Sequence, residues 1–302
     1  MSIQWPLVFF TLFVGLGCGI FVGSVVLTEW CGKAKQIRTI SSSIAIVALG
    51  VGGVSSTMHL GHPERMFGAL GHPTSGIFME STMIGLFGLA IIVYLLALRR
   101  NASDRTCKVI ATIGAVLAVV LAFVNGHAYV IAARPAWNTL ILPLLYVASA
   151  GVMGCFSLSV LLARTKYADT IATIAVTETA ATAETSTTTA TTTIKRATLI
   201  ALAFQAVLLI AYLIHVAVAP YPDITRSVMR VLTGNLALLF WGGVVLLGFL
   251  VPTVLMTKFY TKNTESISPL TSVKLSLASV LVAGVAFRAL MFLIGSSIKQ
   301  FF

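Results

Sequence analysis

The chain reads as an all-α, polytopic membrane protein of eight transmembrane helices with both termini on the outer (periplasmic) side. Three observations carry this reading. First, its 302 residues are 58% hydrophobic and 10% charged, with a mean hydropathy of +0.98. Second, the apolar residues fall in continuous runs of about 20, the length that a hydrocarbon core of about 30 Å asks of a helix. They do not alternate, as the strands of a membrane barrel would. Third, lysine and arginine are distributed unevenly among the connections.

The runs are 6–28, 40–58, 76–98, 108–131, 140–163, 198–219, 231–257 and 274–296. They occupy most of the chain, so 1–302 is expected to form a single integral membrane domain. No Lys or Arg precedes Pro6, and the first run is too long for a cleavable signal segment. The second ends in GVGGVSSTM (50–58), whose small residues permit close helix approach or leave room for a flat ligand. The seventh opens with LTGNLALLFWGG (232–243), which puts Asn235 at its outer end; Pro252 is expected to kink its inner end. Between the fifth and sixth runs, 165–196 is rich in Thr and Ala and poor in large apolar residues, and is expected to be a disordered cytoplasmic loop.

Fourteen of the 20 Lys and Arg lie in the odd-numbered connections, among them Lys33, Arg38, Arg99, Arg100, Lys195 and Lys258. Five lie on the other side: Arg65, Arg134, Arg226, Arg230 and Lys299. The positive-inside rule makes the odd connections cytoplasmic. The net charge of +11 is thereby explained by topology, with no nucleic-acid partner. Cys18, Cys31, Cys107 and Cys155 form neither a CxxC pair nor an iron–sulfur spacing, and are read as reduced or buried thiols.

Away from their boundaries, these runs contain two charged side chains, Glu80 and Arg288. A charge in hydrocarbon costs roughly 2.5–3.5 kcal/mol on insertion scales and marks a functional site by default. At about 1.5 Å of rise per residue, Glu80 lies one turn below the outer surface and Arg288 about 12 Å from the outer end of the last run. His59, His127, Tyr129 and His215 fall in the same outer half, and Glu80 is the carboxylate available to Arg288. Snorkelling to the interface accounts for His62, His72 and Arg134, but poorly for a short Glu or a deep Arg. A lipid-soluble quinol suits this set of groups. It must lose two protons and two electrons. His or a carboxylate can take a proton from a ring hydroxyl, while Arg or Tyr holds the other oxygen.

At 58–80 the sequence is MHLGHPERMFGALGHPTSGIFME. This resembles the membrane-anchor subunit of the dimethyl sulfoxide reductase family, within the wider NrfD-like quinol-interacting membrane proteins. In that family the segment reads HLG-x-P-x-R-x-(F/W), followed about fifteen residues on by a Glu that opens the next helix. His59, Leu60, Gly61, Pro63, Arg65, Phe67 and Glu80 match; PAW (135–137), Tyr129 upstream of it and the region of Arg288 also look like the family. The resemblance implies a menaquinol-oxidising anchor without haem or metal of its own. Its partners would be an iron–sulfur subunit and a molybdopterin catalytic subunit on the outer face. It carries the family's catalytic pair onto His59 and Glu80 and puts Arg65 on the loop that would face the iron–sulfur partner; with the shared depth, Arg65, His127, Tyr129 and Arg288 are expected as further quinol contacts. His127 departs from the pattern, standing where close relatives carry an Arg, and 168–194 is an insertion.

Two other classes stay open on the residues alone. A b-type cytochrome needs axial histidines on facing helices, and His127 and His215 share a depth. A secondary transporter would show internal repeats and a site at the midplane; no repeat is evident and the polar cluster lies off-centre.

Overall fold

The computed structural model describes residues 3–58, 68, 71, 75–173, 180–220, 222–260 and 269–295. Eight helical segments among them are long and apolar enough to span a bilayer: Trp5–Trp30, Lys35–Thr57, Gly76–Arg99, Asp104–His127, Ile141–Arg164, Thr192–Ala217, Leu238–Thr257 and Leu270–Ile294. Each coincides with one of the eight apolar runs.

Helix α1 (Trp5–Val25) begins at Trp5 with Pro6 in its first turn, where the missing N–H costs nothing. It continues into a π-helical turn, Val26–Trp30. The chain then reverses through Gly32 (φ +65°), a left-handed conformation that favours glycine, and enters α2 (Arg38–Thr57). The Ser75 hydroxyl caps α3 (Gly76–Arg99), accepting from the Phe78 amide at 3.2 Å. Ser103 caps α4 (Asp104–His127) in the same way, through the Thr106 amide. Then come α5 (Ile141–Thr173), α6 (Ala180–Ala217), α7 (Pro222–Leu232), a π-helical stretch Leu238–Leu250 that continues as α8 (Val251–Tyr260), and α9 (Pro269–Ile294).

Burial separates central helices from peripheral ones. The spans of α1, α5 and α9 are 72%, 72% and 67% buried, whereas those of α3, α6 and Leu238–Thr257 are each 22% buried and turn apolar side chains toward lipid. Helix α1 packs on α2, α4, α5 and α9, and so belongs to both halves of the bundle. Its glycines explain why. A Cβ on Gly19 would collide with the backbone of Ala150, and one on Gly154 with the backbone of Gly19, so α1 and α5 cross in backbone contact. Gly15 and Gly23 extend the seam to Met153 and Leu158. Gly19→Val is therefore expected to cost more than about 3 kcal/mol, since the obstacle is main chain and not a movable side chain. The check is thermal unfolding of the purified chain, and a Tm within a degree or two of wild type would refute the seam.

One boundary expected from the sequence needs correction. The seventh run does not start at 231. Residues 222–232 form the separate helix α7, with Ile224, Ser227, Val228 and Val231 buried and Thr225, Arg226, Met229 and Arg230 exposed, the pattern of an interfacial helix. The chain turns at Gly234, where a Cβ would lie 2.8 Å from the Arg230 Cα, and the span begins at Leu238. Helix α4 ends at His127, and Tyr129 lies in the turn that follows. The segment 165–196 carries helix over its described residues, as α5 runs on to Thr173 and α6 starts at Ala180. Its alanines, with no Gly or Pro, let helix propagate from the adjoining spans, since extension costs far less than nucleation. Pro252 falls where the π-helical stretch gives way to α8.

Candidate functional site

Arg288 is the largest fully buried side chain, 1% exposed, six residues from the end of α9. Its Nε–H donates to the Thr11 hydroxyl at 2.9 Å, Nη1 to the Gly284 carbonyl at 3.1 Å and Nη2 to the Thr11 carbonyl at 3.2 Å. The guanidinium carbon lies 5.0 Å from the centre of the Tyr146 ring, a cation–π arrangement. Space for the head group comes from glycines: Cβ atoms at Gly15 and Gly284 would each lie 3.4 Å from its nitrogens. A guanidinium has five N–H donors, and three are engaged here. Among the described residues no carboxylate pairs with Arg288, so the expected Arg288–Glu80 ion pair is not formed. The Arg is held instead by main-chain and hydroxyl oxygens.

Glu80 lies one turn into α3, where the Ser75 cap sets the helix start. Its Oε1 is buried and has no hydrogen-bond partner among the described residues. Tyr129, 8% exposed, is within electrostatic reach of Tyr146, Glu80 and Arg288, and Tyr146 is within reach of Arg288 and Glu80. The carboxyl group and the cation are not paired; both lie within electrostatic range of the same two phenols. Tyr146 is fixed by its hydroxyl, 3.4 Å from the Met291 sulfur, and its ring packs on Phe287 and Tyr129.

The segment after α4 closes this end. Trp137 donates its indole N–H to the Met291 carbonyl at 2.9 Å and packs edge-on against Tyr129 and Phe292. Tyr212 donates to the Ala136 carbonyl at 3.0 Å. The Arg134 guanidinium covers the Trp137 ring at 4.2 Å; partial burial there holds its pKa below the ordinary arginine value. The PAW tripeptide thereby anchors the turn that carries Tyr129.

Of the residues expected from the sequence, Glu80, Tyr129 and Arg288 are brought together. His127 stacks on Phe123 at 6.0 Å, and His215 is half-buried on α6. His59 and Arg65, with His62 and His72, lie outside the described residues. No group of three or more His, Cys, Asp or Glu side chains able to hold a metal ion occurs among the described residues. Tyr146, Thr11 and Asn125 went unread in the sequence, because an isolated Tyr, Thr or Asn in an apolar run carries no charge to mark it.

The opposite end holds polar groups that the sequence reading missed. The π-turn of α1 carries Glu29 inward to 8% exposure, where its Oε1 accepts from the Tyr94 hydroxyl at 2.6 Å and pairs with Arg38 at 3.3 Å. Glu80 is therefore not the sole carboxylate within the spans, and polar groups are not confined to one half. The two sets differ in kind. Glu29 has bonded partners, whereas Glu80 keeps an unpartnered oxygen. A crevice of about 240 Å³ along α1, α4, α5 and α6 is lined by small and apolar residues such as Gly19, Ala118 and Gly151, with the thiols of Cys18 and Cys155 and the Thr193 hydroxyl but no histidine or carboxylate.

A family model described as the DMSO reductase anchor subunit (DmsC) matches residues 1–293. The protein is also similar to the C subunit of the anaerobic dimethyl sulfoxide reductase of Haemophilus influenzae, 27% identical over 139 residues, which is 45% of this protein and 50% of that one. The match thus spans about half the length of this curated relative.

Proposed function

The chain belongs to the DMSO reductase anchor subunit (DmsC) family, and on that premise we propose that it oxidises menaquinol and passes the electrons to an iron–sulfur subunit docked against it. A molybdopterin catalytic subunit would then reduce the terminal acceptor. The observation that supports this reading is the buried oxygen of Glu80, unpartnered among the described residues, within electrostatic range of Tyr129 and Tyr146, which also lie within range of Arg288, a cation with no carboxylate partner among those residues.

In this reading the quinol enters from lipid in the half that holds Glu80. Loss of two electrons and two protons converts it to the quinone. The Glu80 carboxylate and His59 accept the ring protons, and the Arg288 and Tyr129 donors hold ring oxygen as charge shifts on it. The lysine-poor ends face outside, in a bacterial inner membrane, so the protons are released on the outer face. The partner subunits dock on that face, near the Arg65 loop.

Deleting the chain is expected to release the catalytic activity from the membrane. It should also abolish menaquinol-driven reduction of dimethyl sulfoxide while leaving viologen-driven reduction intact. Retention of menaquinol-driven turnover without the chain would remove the proposal. A b-type cytochrome would show a stoichiometric Soret band in the purified complex, and our reading expects none.

A further inference from the structure

Asn125 lies on α4 and is 1% exposed, yet neither its amide nitrogen nor its amide oxygen has a partner among the described residues. A primary amide offers two donors and an acceptor, and buried polar groups in native proteins are bonded as a rule. Leaving both ends empty weakens the fold, so the residue calls for a ligand.

The packing of α3 on α4 indicates which one. These helices are antiparallel and meet at Gly76 and Ala128, where a Cβ on Gly76 would lie 3.6 Å from that of Ala128. One turn inward from this crossing, about 5–6 Å, α3 presents Glu80 and α4 presents Asn125. Among the described residues, the Oε1 of Glu80 and both polar atoms of Asn125 are unpartnered at this level. Tyr129 follows Asn125 by four residues, one turn nearer the surface.

We infer that Asn125 binds a ring oxygen of the quinol, opposite Glu80 across the α3–α4 interface. This rests on the quinol reading above. An amide suits a ligand that changes its own hydrogen-bonding character. Asn125 Oδ1 accepts from the hydroxyl of the reduced ring, and Nδ2 donates to the carbonyl of the oxidised ring. A carboxylate or an ammonium could serve only one of these forms.

The test is Asn125→Leu, which keeps the branching of the side chain at Cγ and removes its polar atoms, in the assembled complex. Menadiol serves as a soluble naphthoquinol, and Tm is measured on the purified full chain. The expected result is a KM for menadiol raised about tenfold, the scale of one lost hydrogen bond, with a smaller change in kcat. Tm should hold or rise, because the substitution removes buried polar atoms that have nothing to bond in the empty protein. An unchanged KM overturns the inference. So does a fall of several degrees in Tm, whatever the kinetics, since it would show that the amide is bonded within the fold. If the wild-type complex does not oxidise menadiol at all, the quinol reading itself fails, an outcome distinct from a mutant that behaves like wild type.

Discussion

Arg288→Met is expected to lower menaquinol-driven turnover at least about a hundredfold while leaving the fold as stable as wild type or more so. The two halves of this expectation have separate causes. The guanidinium is 1% exposed and carries no carboxylate partner among the described residues, so its burial is compensated only by Thr11, Gly284 and the Tyr146 ring. Isolated buried charges are costly, and replacing buried ionic groups by apolar side chains of similar volume is often neutral or stabilising by about 1–4 kcal/mol. The Thr11 and Gly284 carbonyls lie within helices and keep their main-chain bonds. On the proposed reading, the arginine serves instead to hold negative charge as it develops on the ligand. Arg288→Ala separates charge from volume: it adds a cavity and should cost about 2–5 kcal/mol. Turnover per folded complex and thermal unfolding together decide the matter. A methionine variant that unfolds readily but turns over normally would reassign Arg288 to structure.

Glu80→Gln is expected to lower kcat for menaquinol oxidation by about 10²–10⁴-fold, the range typical of losing a positioned acid or base. KM should change little and assembly with partner subunits should be intact. Gln keeps the shape and a carbonyl oxygen where Oε1 now stands, but cannot take up a proton. Because Oε1 has no partner among the described residues, no internal bond is lost and no collapse of α3 is anticipated. Steady-state kinetics on purified complexes, with viologen-driven turnover as the assembly control, check this. Equal kcat in both forms would move the proton acceptor elsewhere, with His59 next.

The spans were legible because hydrophobic length is a strong signal: all eight apolar runs became spans, with ends shifted by a few residues. Helix α7 was not legible, being a short amphipathic piece between two apolar runs that merged with the longer one. The helical backbone of 165–173 and 180–196 was hidden by a composition usually read as disorder. In the site, Glu80 and Arg288 announced themselves by charge. Their manner of meeting did not: pairing them directly followed from Coulomb attraction, whereas Thr11 and Tyr146, from α1 and α5, supply the contacts. Glu29 escaped notice because the π-turn carries the first span past the expected boundary at residue 28 and rotates the carboxyl group inward.

The bond between Arg288 and Thr11 joins residues 277 positions apart, the first span to the last. During synthesis the N-terminal helix therefore sits in the bilayer with its future partner still unmade. The arginine, once inserted, is sheltered only when it reaches that helix. This end of the molecule is thus completed only after the last span has been inserted, and chains that terminate before residue 288 lack this contact between the first span and the last.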